Sequence, residues 1–209
     1  MKKTIEKINQ LKKTELKKQI DTRIREFESV LSQKDKDQIF NELCFCILTA
    51  NFKAEKSIQI QNKLQNEFST LKENKLAIKL KQLGHRFPNM RAKFIIEARK
   101  NKQKLIEILS LNELDARDWL VENIKGLGMK ESSHFLRNIG FKNIAIVDFH
   151  IIDLLVKENL IQKPKSKSLT KKQYLEIEQV LKQLVIKANL NLAELDLYLW
   201  YIETGKVLK

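Results

Sequence analysis

Residues 124–153 read IKGLGMKESSHFLRNIGFKNIAIVDFHIID, and the spacing inside this stretch sets the fold class. Just upstream, Ala116, Trp119, Leu120 and Ile124 recur at helical intervals behind Asp115, a residue type that caps helices. Lys125-Gly126-Leu127-Gly128 then places two glycines one residue apart, so the chain turns there. From Met129 the helical period resumes through Ser132, Ser133, Leu136 and Ile139, and Gly140 stands where helix C-termini favour glycine. The stretch predicts helix, hairpin, helix.

A glycine-rich turn entering a helix leaves backbone N–H groups unpaired at the positive end of the helix dipole, a suitable seat for one anionic oxygen. Phosphate is the natural guest, although the same spacing also makes a plain tight turn. Lys125, Lys130, Arg137 and Lys142 crowd the unit with positive charge and favour a nucleic-acid backbone over a small metabolite.

The whole chain agrees in sign. Its 40 Lys and Arg against 26 Asp and Glu give a net charge of +14, which suits a polyanionic partner, though part of it is solvated lysine-rich helix surface. With 209 residues, 43% of them hydrophobic, the chain is long enough to bury a core in one or two small domains. Cys44 and Cys46 lie in an apolar run, too few for a disulfide framework or a four-cysteine iron–sulfur site. The N-terminal MKKTIEKINQLKK has no apolar core of a signal peptide, and no stretch approaches the ~20 apolar residues of a bilayer span. Membrane partners are therefore not expected, and the cytoplasm, at the nucleoid, is the expected location.

Glycines and prolines fall between periodic segments, which predicts uninterrupted helices: Ile5–Leu11, Leu16–Phe27, Ile39–Ile47, then 53–68, 73–83, 89–109, 148–160, 171–188 and 192–204, with Thr170 capping the penultimate one. Only Ile144–Val147 has strand character, too short for a sheet, and 163–171 reads as an exposed loop. The fold class is all-α.

Lys130 and Asp148 stand at two positions of the central stretch where the local context gives each a reading. Lys130 sits in the first turn after Gly128, where a helix N-terminus and Lys125 disfavour its ammonium form, so its pKa is expected to fall and leave a nucleophilic amine; a phosphate-binding surface lysine is the alternative. Asp148 follows Ala145-Ile146-Val147 and precedes Ile151, Ile152, Leu155 and Val156, the place of an N-cap. His134 and His150 are lone histidines without the companions of a metal site, and no metal ligands are assigned.

The runs KGLGMKESSHFLRNIGF and IAIVDFHIIDLL resemble the helix-hairpin-helix DNA glycosylase superfamily, which pairs a hairpin lysine with a downstream aspartate. With LCFCILTANF, LGHRF and the terminal DLYLWYIETGKVLK, the chain resembles most closely the type-2, archaeal-like 8-oxoguanine DNA glycosylase/AP lyases, from about Leu43 to the last residue. It departs at Phe149, where an arginine is expected, and at Pro88-Asn89, where a more basic pair is expected.

The resemblance implies two helical lobes with a DNA-binding cleft between them: residues 1–34 with 141–209, and 35–140 ending in the helix-hairpin-helix of 115–140. It implies Lys130 as the nucleophile that attacks C1′, expels 8-oxoguanine and nicks the strand by β-elimination from a Schiff base, with Asp148 stabilising the cationic sugar. A base reached this way has to leave the duplex. Phe87, Trp200 and the terminal Lys209 are implied in base recognition; Asn51, inserted into the vacated stack, and His85, Arg86, Lys125, Gly126 and Gly128 in binding DNA. A monomer acting on 8-oxoguanine-containing double-stranded DNA is implied, with no required cofactor and room for a monovalent cation on the hairpin's backbone carbonyls. Other readings are a glycosylase of this superfamily for another lesion, such as an oxidised pyrimidine, and a non-catalytic helix-hairpin-helix DNA-binding protein.

Overall fold

The computed structural model describes residues 2–166 and 168–209. In chain order the helices are α1 (Lys2–Leu11), α2 (Leu16–Gln33), α3 (Lys36–Thr49), α4 (Ala54–Leu64), α5 (Glu67–Thr70), α6 (Glu73–Gln82), α7 (Pro88–Ala98), α8 (Lys104–Glu107), α9 (Glu113–Asn123), α10 (Met129–Asn138), α11 (Phe149–Lys157), α12 (Lys171–Ala188) and α13 (Leu192–Thr204). Short 3-10 turns occupy Arg99–Asn101 and Ile108–Ser110, and the described residues contain no strand. No helix among them is long and apolar enough to cross a membrane.

The chain forms two compact units, Ser29–Ile139 and Met1–Glu28 with Gly140–Lys209. The first boundary thus falls inside α2, earlier than the 34–35 junction expected from the resemblance.

In the 29–139 unit, α3 is the centre. Asp35 caps it by accepting the N–H groups of Asp37 and Gln38. The sequence pattern suggests an amphipathic helix, yet every residue from Leu43 to Leu48 is fully buried, because α4, α7 and α10 all pack on it. A stretch of helix with neighbours all round has no face turned to water, and here that stretch is Leu43–Leu48, while Lys36 and Asp37 in the first turn stay exposed. Cys44 and Cys46 are buried and form no disulfide, and burial pushes the Cys44 thiol well up. Two expected helices are broken. The 53–68 segment divides at Gln65, whose φ of 36° ends α4, and 89–109 bends through the 3-10 turns as Leu105 and Ile108 turn into the core. No glycine or proline marks either break.

The other unit packs α1 on α12 and α12 on α13. Thr170 and Gln173 close a capping box at the start of α12, and Asn191 with Glu194 another at α13. In the 163–171 loop, Lys167 lies outside the described residues.

Candidate nucleic-acid interface and catalytic residues

α9 and α10 pack on each other as the helix-hairpin-helix, with Arg117 buried between them and donating to Ser133 Oγ at 3.3 Å. Asn112, not Asp115, caps α9: its side chain accepts the N–H groups of Leu114 and Asp115, which puts Asp115 inside the first turn, where acids also suit the dipole. Gly140, with φ 108°, follows the end of α10 as expected.

The two hairpin glycines have different reasons to be glycine. Gly126 has φ 93°, and a Cβ there would stand 2.4 Å from Phe94 Cδ2. Gly128 is extended, at φ −98° and ψ −169°, and a Cβ would meet only Glu131 Oε2 at 3.5 Å. Gly128 is the N-cap of α10 and supplies no side-chain acceptor, so the first-turn N–H groups are left for a ligand. Lys125 is exposed, 3.8 Å from Glu97 and with Nζ 5.9 Å from the Phe94 ring centre. For a monovalent cation, the oxygen donors are of the right hard type. The Ile124 and Gly128 carbonyls accept the N–H groups of Leu127 and Ser132, and the carbonyls of residues 124–128 are the ones that could hold such an ion.

Lys130 occupies the first turn of α10 with its side chain about one-third exposed, and its Nζ lies 3.9 Å from Glu131 Oε1. Glu131 also acts electrostatically on Arg91: burial pulls the Arg91 guanidinium below its ordinary pKa, and the Glu131 carboxylate opposes that pull.

Arg91 belongs to a second cluster in the same unit. Its Nη2 donates to Ala50 O, a carbonyl at the C-terminus of α3 where positive charge is favoured. Asn51 follows with φ 57°, exposed at the tip of the turn, and Phe52 stacks on His85 with ring centres 4.2 Å apart. His85 is where the resemblance misleads. Expected among the residues that bind DNA, it is 4% exposed, its Nε2 donating to Leu48 O and its Nδ1 accepting the Phe87 N–H, each at 3.0 Å. Neither ring nitrogen is left for DNA. Burial holds its pKa below the ordinary value, the Leu48 carbonyl raises it and Arg91 lowers it further. Phe87 is half-buried at the N-cap of α7, with Pro88 in the first turn, and the exposed Arg86 sets its guanidinium 4.9 Å over the Phe87 ring.

Asp148 stands in the other unit, at the end of the buried extended run Ile144–Val147. That run is held by side chains of α12: Glu178 Oε2 accepts the Ala145 N–H, and the Tyr174 hydroxyl accepts the Val147 N–H while donating to Ala145 O. Backbone groups that a sheet would satisfy are satisfied by two side chains. Asp148 then caps α11, Oδ1 accepting the Ile151 N–H at 3.0 Å. Next to it Phe149, 64% exposed, stacks on His150 at 4.0 Å, and His150 meets Trp200 edge-on at 5.6 Å. The Trp200 Nε1–H is buried without a partner among the described residues. Gly205, at φ 72°, ends α13, and Val207 and Leu208 of the half-buried tail precede Lys209. Val207 borders a depression lined by Glu15, Lys18, Gln19, Thr22, Arg23 and Glu26 of the same unit.

A family model described as 8-oxoguanine DNA glycosylase matches residues 20–190. The chain belongs to the 8-oxoguanine DNA glycosylase family. It is 50% identical to the 8-oxoguanine DNA glycosylase/AP lyase of Korarchaeum cryptofilum, over 97% of this chain and 96% of that one. It is also similar to a crystal structure of the Methanocaldococcus jannaschii 8-oxoguanine glycosylase/lyase in complex with a 15mer DNA containing 8-oxoguanine: TM-score 0.94, 50% identity, 98% of this chain and 99% of that chain. The crystal structure of the Thermotoga maritima 8-oxoguanine DNA glycosylase matches with TM-score 0.94 at 37% identity, covering 100% and 99%.

For this member of the 8-oxoguanine DNA glycosylase family, the residues that sequence reasoning missed are supports: Phe94 under the hairpin, Arg91 and Phe52 at the Asn51 turn, Tyr174 and Glu178 behind Asp148. Each acts on a partner far along the chain, so no local pattern marks it. Among the described residues no group of His, Cys, Asp and Glu is arranged to hold a metal ion.

Proposed function

We propose that this chain is a bifunctional DNA repair enzyme that excises 8-oxoguanine from duplex DNA and cleaves the resulting abasic site by β-elimination. The observation that carries this is its near full-length likeness, at 50% identity and TM-score 0.94, to a glycosylase/lyase bound to DNA containing 8-oxoguanine. Lys130 in its neutral form attacks C1′ and the glycosidic bond breaks, with the base leaving on the bond's electron pair and taking up a proton. The aminal opens to a Schiff base, loss of a C2′ proton follows, and the 3′-phosphate departs. Asp148, anchored through Oδ1, has Oδ2 to set against the cationic sugar of the transition state. The first-turn N–H groups of α10 and Lys125 hold a backbone phosphate, and no step requires a cofactor. A monovalent cation on the hairpin carbonyls would add positive charge beside that phosphate.

Phe87 and Trp200 provide flat faces for the extruded purine, Lys209 a further contact to it, and Asn51 the side chain that fills the gap; Arg86 contacts DNA beside Phe87. The enzyme acts as a monomer in the cytoplasm, at the nucleoid where its substrate is. The test is borohydride trapping on duplexes carrying single defined lesions. The wild type should trap on 8-oxoguanine and Lys130→Gln should bind but neither excise nor trap. Trapping only on an oxidised pyrimidine would move the substrate, and no trapping on any lesion would leave a DNA-binding module.

A further inference from the structure

We infer that His85 is a positioning residue that makes the Asn51 turn and Phe87 one mechanical unit, so that filling the vacated stack and receiving the extruded base are set together; this rests on the function proposed above. The two elements are distant in sequence, and His85 touches both. Its Nε2–H holds the Leu48 carbonyl at the end of α3, its ring carries Phe52 immediately beyond Asn51, and its Nδ1 holds the Phe87 N–H. These contacts fix one tautomer: Nδ1 has to accept and Nε2 has to donate.

Arg91 spans the same two elements, with Nη2 on Ala50 O and its guanidinium 6.0 Å from the Phe87 ring centre. Asn51 is thereby gripped on both sides, through Ala50 and through Phe52, while its own side chain stays exposed at φ 57°. A surface turn in a left-handed conformation is ordinarily free to relax. This one is tied to the interior at three points, Leu48, Ala50 and Phe52, by the segment that carries Phe87. A side chain that must enter a base stack gains from being held in advance, because ordering it then costs nothing at the moment of binding.

The test is a double-mutant cycle between Asn51→Gly, which removes the side chain but accepts φ 57°, and Phe87→Ala. It is read as affinity for a duplex carrying a tetrahydrofuran abasic analogue, with 8-oxoguanine excision followed in parallel. In the wild-type background the double variant should lose at least about fivefold less than the product of the single losses, the signature of coupled sites. In a His85→Phe background the losses should multiply to within about twofold, and His85→Gln, which keeps a donor and an acceptor, should restore the coupling. Phe52→Leu, at a half-buried position, should weaken the coupling in the same sense and decides the matter if His85→Phe does not fold. A wild type that excises 8-oxoguanine but gives multiplicative losses overturns the inference, as does coupling unchanged in His85→Phe or Phe52→Leu. A wild type that does not excise 8-oxoguanine overturns the functional reading, and this inference with it.

Discussion

Alanine at Gly126 and alanine at Gly128 should behave very differently, although the two positions look alike in the sequence. At Gly126 the backbone φ of 93° strains any L-residue by about 1–3 kcal/mol. The added Cβ would lie 2.4 Å from Phe94 Cδ2, and since that atom belongs to a rigid ring, the whole side chain has to shift, at about 1–3 kcal/mol more. The sum, roughly 2–6 kcal/mol, should lower the melting temperature by roughly 4 °C at the least. At Gly128 the extended backbone accepts alanine, the nearest atom is at 3.5 Å, and the loss of a favourable N-cap type costs about 1 kcal/mol or less. Thermal and urea denaturation of the two variants, with duplex binding against salt, separates the terms. In a Phe94→Ala background the further cost of Gly126→Ala should shrink to the backbone strain alone. Binding by Gly126→Ala should weaken alike for damaged and undamaged duplex, with a salt slope shallower by about 0.9 for each phosphate that the hairpin no longer neutralises. A Gly126→Ala protein as stable as the wild type, or no relief from removing Phe94, would refute the reasoning; an affinity loss confined to damaged DNA would move the hairpin to the lesion itself.

Tyr174→Phe strips the buried Val147 N–H and Ala145 carbonyl of their partner, at about 1–3 kcal/mol each, and should lower both urea resistance and excision because Asp148 follows directly; unchanged denaturation would show that water replaces the hydroxyl. His85 is held neutral below its ordinary pKa of 6.5, so the unfolded chain takes the proton first. Its contribution to stability is therefore complete above about pH 6.5 and is lost as the pH falls from there toward the lowered folded value. His85→Gln should flatten that acid loss, and identical pH profiles would count against it. Asp148→Asn keeps the cap on α11 and should leave melting near the wild type while slowing excision by about two orders of magnitude or more, measured in single turnovers. Deleting Lys209 should impair 8-oxoguanine excision far more than abasic-site cleavage or undamaged-duplex binding; equal rates would remove Lys209 from base recognition.

The hairpin, the helix after it, the Asp148 cap and the Thr170 cap were all legible from sequence, because each depends on the conformational preferences of residues within one turn of one another. The all-α class followed from the same local periodicity. Tertiary structure alone decided what the rest of those residues are for. The apolar spacing of α3 reads as one-sided, yet the helices packed on it bury every residue from Leu43 to Leu48. Gly126 and Gly128 are interchangeable in a motif and are distinguished by Phe94, which approaches from α7. His85, between Gly84 and Arg86, looks like a surface contact, and only Leu48, Phe52 and Phe87 closing around it turn it inward. Ile144–Val147 looks like a strand without a sheet, and its hydrogen bonds go to Tyr174 and Glu178 on α12. Torsional and capping energies act between neighbours in the chain and leave their mark in sequence. Burial and side-chain hydrogen bonding join residues that only the folded backbone brings together.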